Sequence, residues 1–118
     1  MNKHEKINYI EFSSRHLNKT KTFFTTVFNW SFTDYSDEYT AFSNEGIDGG
    51  FYKDENKPEN TTGCALVVFY SNDLGATQNK IENADGEIVQ AIFEFPGGRR
   101  FHFVEPGGNE FAVWSDVV

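Results

Sequence analysis

The chain has 118 residues, with 18 acidic against 10 basic side chains and a formal net charge of -8 at pH 7. That length fits one domain, and the acidic balance repels phosphate backbones and anionic lipid headgroups. No apolar run reaches the ~20 residues of a membrane span, so neither a nucleic acid nor a membrane is an expected partner.

Thirteen Phe, five Tyr and two Trp dominate the apolar content, and rings of this size both fill cores and line pockets. The polar start, Met1 to Lys6, reads as leading straight into a strand without a secretory leader. Cys64 is the single cysteine and cannot form an internal disulfide, which fits a reducing compartment. A cytoplasmic location is expected.

Ile7 to Phe12 alternates in the two-residue period of a strand. From His16 to Phe28, Leu17, Thr20, Phe24, Val27 and Phe28 recur at spacings of three and four, as on one helix face. Strands follow at Tyr39 to Phe42 and Asp48 to Tyr52, joined through Asn44 and Gly46. Residues 54–63 are polar, carry Pro58, and read as an exposed linker between a first module at about 5–53 and a second at about 64–118. In the second, Cys64 to Tyr70 reads as a buried strand. Leu74, Thr77, Ile81 and Ala84 mark a helix capped by Asn72 or Asp73 and stopped by Gly86. Strands near Glu87 to Phe93, Arg100 to Val104 and Glu110 to Trp114 complete it, with Pro96-Gly97-Gly98 and Pro106-Gly107-Gly108 as turns.

The second order of elements repeats the first. A shift of 57 residues places Phe12 on Phe69, Ser14 on Ser71, Leu17 on Leu74, Thr20 on Thr77 and Phe24 on Ile81, and a shift of 62 matches the last hairpins. An α+β domain made of two similar halves around a ligand-sized cavity is expected.

With Asn8-Tyr9-Ile10-Glu11-Phe12, His16-Leu17, Phe28-Asn29-Trp30 and Glu105-Pro106-Gly107-Gly108-Asn109-Glu110 in this duplicated frame, the chain resembles the vicinal oxygen chelate superfamily. That superfamily includes glyoxalase I, extradiol dioxygenases, fosfomycin-resistance enzymes and bleomycin-resistance proteins. The run Phe95 to Phe103 resembles bacterial proteins related to lactoylglutathione lyase. The resemblance implies two βαβββ modules curled into a half-open, mostly antiparallel barrel, often dimeric. It also implies a divalent metal held by His, Glu or Gln from the first and last strands of each module. The matched positions here are Tyr9, Gly50, Leu66 and Ala112. Such metals need converging imidazole or carboxylate donors, so no metal site and no cofactor is expected.

Strand parity turns Tyr9, Glu11, Leu66, Val68, Tyr70, Glu110, Ala112 and Trp114 toward the cavity, and Ile10, Phe12, Val67, Phe69, Phe111 and Val113 toward the helices. It also turns Arg100 and His102 inward over buried Phe101 and Phe103. A concave site lined by Tyr9, Tyr52, Leu66, Tyr70, Arg100 and Trp114 has the usual form of a small-molecule site, with Arg100 available for an anion. His102 is the leading catalytic candidate, since imidazole chemistry suits acid–base work near neutrality, and Glu11 is the second; a structural histidine bonded to a carbonyl or to Glu11 is an even alternative.

The remaining chemistry-bearing residues have plainer readings. Arg99 should face outward, Cys64 carries no chemistry, Asp48 and Glu110 are expected in solvent, and the paired glycines serve turns or close backbone contacts. His4 and His16 should be solvent-exposed.

Three functions follow in order. The first is a metal-free protein that binds a small molecule, as a homodimer. The second is a metal-dependent lyase, isomerase or dioxygenase using Glu11, His102 and Glu110. The third is a metal-independent enzyme with His102 as acid or base, oriented by Tyr9 or Glu11.

Overall fold

The computed structural model describes residues 3–56 and 65–117. Its elements run β1 (Tyr9–Ser14), α1 (Leu17–Phe28), β2 (Phe32–Ser36), β3 (Tyr39–Phe42), β4 (Asp48–Lys53), β5 (Val67–Tyr70), α2 (Leu74–Asn83), β6 (Glu87–Phe95), β7 (Gly98–Val104) and β8 (Glu110–Ser115). This is βαβββ twice. Each module is one four-stranded mixed sheet, ordered β1-β4-β3-β2 and β5-β8-β7-β6, and the described strands do not close into a barrel.

The duplication is visible in the register. Ile10 pairs with Gly49 and Phe12 with Phe51 across the parallel β1–β4 ladder. Val67 pairs with Phe111 and Phe69 with Val113 across β5–β8. Both shifts deduced from the sequence, 57 for the first strand and 62 for the last, are those of the backbone pairing. The same symmetry holds a local lock in each module. Ser14 Oγ meets Thr20 Oγ1 at 2.7 Å, and Ser71 Oγ meets Thr77 Oγ1 at 2.7 Å. Each serine also accepts a backbone N–H two residues on, from His16 and Asp73 respectively. These bonds fix the angle at which the chain leaves the strand and enters the helix.

The apolar stripe of α1 buries Leu17, Thr20, Phe23, Phe24 and Val27. Phe24 is fully buried and serves both modules: its ring lies 5.5 Å from Phe51 on β4, 5.4 Å from Phe111 on β8 and 4.6 Å from Trp30. Phe28 stacks on Phe69 of β5 at 4.5 Å, and Phe23 packs 5.7 Å from Phe103 of β7. The two sheets therefore share one aromatic core, in which each buried ring contributes roughly 1.5–3 kcal/mol by area and each ring pair about 0.5–1.5 more. Asn29 ends α1 in the left-handed conformation, φ 60°, with its N–H on the Thr25 carbonyl and that of Trp30 on Phe24, which satisfies the last carbonyls of the helix.

Several expectations are corrected. Phe32–Ser36 is a strand the periodicity does not show: only Phe32 is even half-buried, and the pairing with β3 is irregular between Asp34 and Ser36. β5 is not a buried strand, because Val68 and Tyr70 are 42% and 54% exposed while Val67 and Phe69 are half-buried. Cys64 and most of the 54–63 linker lie outside the described residues. At the end of α2 the left-handed residue is Asp85, φ 70°. Gly86 is needed instead for close approach, since a Cβ there would collide with Ile81 and press on Phe23. Asp73 caps α2 as expected, its carboxylate accepting the Ala76 N–H at 3.1 Å. No helix among the described residues is long and apolar enough to cross a membrane.

Candidate functional site

The face of each sheet turned away from the helices carries the candidate residues, as parity predicts. Tyr9, Tyr52, Leu66 and Tyr70 are 38–54% exposed on these faces. They form open surface in the single chain and line none of the clefts of about 330, 450 and 570 Å³. Those clefts lie around the start of α1, where Arg15, His16 and Lys19 are flanked by Asp37, Lys53 and Glu55.

On the second module, β7 and β8 bring four of the candidates together. Arg100 pairs with Trp114 and His102 with Ala112 across the ladder. Tyr70 packs edge-on against Trp114 at 5.2 Å, and Phe95 lies 6.3 Å from the same indole. The Arg100 guanidinium sits 5.3 Å from the Phe93 ring and 5.8 Å from Phe95, a cation–π arrangement that holds the charge against an apolar wall. Arg100 Nε and His102 Nε2 are buried and have no hydrogen-bond partner among the described residues. Tyr70 donates to Asp116 at 2.6 Å, and that bond raises its pKa above the usual phenol value.

His102 is bonded through Nδ1 to Glu110 at 2.9 Å. This corrects two expectations: Glu110 is not simply solvated, and Glu11 does not orient His102. A carboxylate only accepts, so Nδ1 carries the shared proton and Nε2 of the neutral ring is left with its lone pair toward the face. Arg99 is corrected too. It shares the helix side of β7 with Phe101 and Phe103 by parity, is half-buried, and has a buried Nε without a partner among the described residues.

On the first module Glu11 accepts from the Tyr39 hydroxyl at 3.0 Å, and the hydroxyls of Tyr39 and Tyr9 are in contact. Tyr39 escaped the sequence reading; its position opposite Tyr52 across β3–β4 was the available signal. Burial, then the bonds to Tyr9 and Glu11, hold the Tyr39 phenol well above its ordinary pKa.

The residues at the positions matched to the superfamily's metal ligands do not fit a divalent cation. Leu66 and Ala112 have no donor atom in their side chains. Gly50 has no side chain, and the place of its Cβ is taken by the hydroxyls of Tyr39 and Tyr9. Glu11, His102 and Glu110 are not gathered either, since no group of three or more His, Cys, Asp or Glu that could hold a metal occurs among the described residues.

A second feature missed by the sequence reading is Glu105, 1% exposed at the turn between β7 and β8. It accepts from Thr20 Oγ1 (2.8 Å), Gly107 N (2.6 Å), Asn109 N (3.2 Å) and Asn109 Nδ2 (2.6 Å). Burial outweighs these donors and raises its pKa. Asn109 also reaches the Ser13 carbonyl, and Arg15 N–H bonds the Gly107 carbonyl. A Cβ at Gly107 would strike Thr20 and Ser14. The quoted motif is thus a clasp that ties the second module to the start of α1, and its glycine serves close backbone approach as expected.

Duplicated βαβββ modules of this kind are the fold of a known family. The chain belongs to the Glyoxalase/Bleomycin resistance protein/Dioxygenase superfamily, whose family model matches residues 6–113. Two relatives are the anthracycline biosynthesis proteins DauV of Streptomyces sp. (strain C5) and DnrV of Streptomyces peucetius. Each is 30% identical over 114 residues, covering 81% of this chain and 42% of the relative. The chain thus spans less than half the length of these relatives.

Solved structures share the fold at low identity. One is the fosfomycin resistance protein FosX from Listeria monocytogenes, in a mutant complexed with Mn(II) and 1S,2S-dihydroxypropylphosphonic acid. It has a TM-score of 0.78 at 18% identity, over 93% of this chain and 89% of that one. A glyoxalase-related enzyme from Fulvimarina pelagi gives 0.76 at 14%, over 94% and 88%. Lactoylglutathione lyase from Agrobacterium tumefaciens gives 0.68 at 13%, over 94% and 93%.

Proposed function

We propose that this chain is a metal-independent binding protein for a planar aromatic small molecule, held on the second-module face. The observation that carries this is the pair of buried, unpartnered nitrogens, Arg100 Nε and His102 Nε2, on the same face as Trp114 and Tyr70. Buried polar atoms are nearly always satisfied: a ligand carbonyl or carboxylate oxygen accepts from the Arg100 Nε–H, and a ligand hydroxyl donates to the His102 Nε2 lone pair. The flat rings of Trp114, Tyr70, Phe93 and Phe95 supply the apolar contact. The naming of two relatives as anthracycline biosynthesis proteins supports the class, since anthracyclines are planar polycyclic aromatics. Exposed Leu66, Val68, Tyr70 and Val89 on the open sheets favour a homodimer in which a second copy covers apolar surface. A lone cysteine suits a cytoplasmic setting.

Native mass spectrometry of protein purified without chelators or affinity metals tests this reading. The expected species is a metal-free dimer with an organic adduct that is lost in Arg100→Ala and Trp114→Ala. A stoichiometric divalent metal would overturn it. The His102–Glu110 pair favours one second reading, an acid–base enzyme in which Nε2 takes a substrate proton and Glu110 orients the ring. Unchanged turnover in His102→Ala would remove it.

A further inference from the structure

The first-module face carries a chemistry that the second-module reading does not use. Tyr9, Tyr39 and Glu11 form one hydrogen-bonded chain. An ionised carboxylate can only accept, so the single proton of the Tyr39 hydroxyl is committed to Glu11. Tyr9 is then the donor to Tyr39. The order of protons is fixed along the chain, and its outer end is the Tyr9 oxygen, on a side chain 44% exposed, with no proton to give and no other bond among the described residues.

Gly50 makes the arrangement possible. Any side chain at this position would overlap the hydroxyl ends of Tyr39 and Tyr9, so two phenol oxygens occupy the room in which a donor from position 50 would project. Tyr39 holds its proton more tightly than an ordinary phenol, which suits an interior link of the chain. Tyr52, directly across the ladder from Tyr39, and Tyr35, 6.5 Å from it ring to ring, add flat apolar surface beside the hydroxyls.

We infer that the Tyr9–Tyr39–Glu11 chain is a recognition subsite for a ligand hydroxyl of phenolic type, which donates a hydrogen bond to the Tyr9 oxygen. The carboxylate at the far end polarises both phenols, so the Tyr9 oxygen is a stronger acceptor than an isolated tyrosine. The subsite disfavours an anion, which would face lone pairs backed by a carboxylate, and an ether, which has no proton to offer. It binds the hydroxyl without ionising it: a phenol with pKa about 10 and a carboxyl with pKa about 4.3 differ roughly a million-fold in proton affinity, so the proton stays on the ligand. The subsite shares no residue with the second-module face and stands independently of that reading.

Fluorescence titration of the full chain with 2-naphthol and with its methyl ether, 2-methoxynaphthalene, tests it. The expected preference for the naphthol is about tenfold or more, the size of one hydrogen bond to a charge-backed acceptor. Tyr9→Phe abolishes the preference and leaves the affinity for the ether unchanged. Tyr39→Phe frees the Tyr9 proton, so the ether gains relative to the naphthol, a reversal that a merely structural role would not produce. Lys80→Ala, an exposed change on α2 that belongs to neither sheet face, leaves the ratio of the two probes unchanged. Equal affinity of both probes for the unmutated chain, no naphthol binding at its solubility limit, or a preference that survives in Tyr9→Phe overturns the inference.

Discussion

The two modules have one backbone and two chemistries. Their strand registers and Ser–Thr locks correspond residue for residue, yet α1 buries five side chains and α2 only Leu74 and Ile81. Thr20 is also held by the buried Glu105, whereas the position matching Glu105 in the first module is Ser43, exposed and without a carboxylate to offer the counterpart Thr77. The exposed faces diverge further. Tyr9, Tyr39 and Glu11 occupy one, while Arg100, His102 and Glu110 occupy the other. What was kept after duplication is the hydrogen bonding that sets strand-to-helix geometry; what changed is the set of side chains facing away from the helices.

The largest expected effect sharpens the contrast between the helices. Phe24→Ala removes a ring shared by both modules and should cost about 4 kcal/mol, against about 3 for Ile81→Ala at the matched position. Urea unfolding midpoints of the two variants test this, and a larger loss at Ile81 would refute the view that α1 is the common core element.

Glu105→Ala comes next. It strands the buried N–H groups of Gly107 and Asn109, each costing about 1–3 kcal/mol, so a net loss of about 3 kcal/mol is expected. Its pH dependence has a definite sign. Because burial raises this carboxyl's pKa above the ordinary 4.5 in the folded state, the fold binds the proton more tightly than the unfolded chain. That contribution is fully present below about pH 4.5 and is lost as pH rises through the folded value. The stability gap between the unmutated chain and Glu105→Ala should therefore widen as pH falls from neutrality toward 4.5.

A smaller comparison uses the locks themselves. Ser14 is fully buried and Ser71 only half-buried, so Ser14→Ala should cost about 1–2 kcal/mol and Ser71→Ala less than about 1. Equal losses would mean that solvent does not repair the second lock.

The fold was legible because its signals were local and repeated. Leu17, Thr20, Phe24 and Val27 at helical spacing, and the two shifts, depend only on period. β2 was illegible because Phe32–Ser36 is a sheet edge with four exposed residues, so burial imposes no alternation on it. The faces of the candidate site followed from parity, but its bonds did not. Whether His102 meets Glu110 or Glu11 depends on which strands are neighbours, and Glu110 lies across the β7–β8 hairpin. Glu105 was hidden for a different reason: a charged residue in a turn reads as solvated, and only the packing of Thr20 and Asn109 against it shows otherwise.

The smallest effect separates the two faces by spectroscopy alone. Each bears a phenol bonded to a carboxylate, Tyr39 to Glu11 and Tyr70 to Asp116, and both pKa values lie above the ordinary 10. The causes are ordered differently. For Tyr70 the bond to Asp116 comes first, so Asp116→Asn should return most of its ionisation to the ordinary range. For Tyr39 burial comes first and Glu11 follows Tyr9, so Glu11→Gln should recover only part. In an ultraviolet titration of tyrosinate, both should ionise late, Tyr39 after Tyr70. Since the folded state keeps the Tyr39 proton more tightly, its stabilising contribution fades as pH rises past about 10 through the folded value. If Glu11→Gln instead restored Tyr39 completely, the carboxylate and not burial would govern the first-module chain, and the phenols would be a relay poised by one charge.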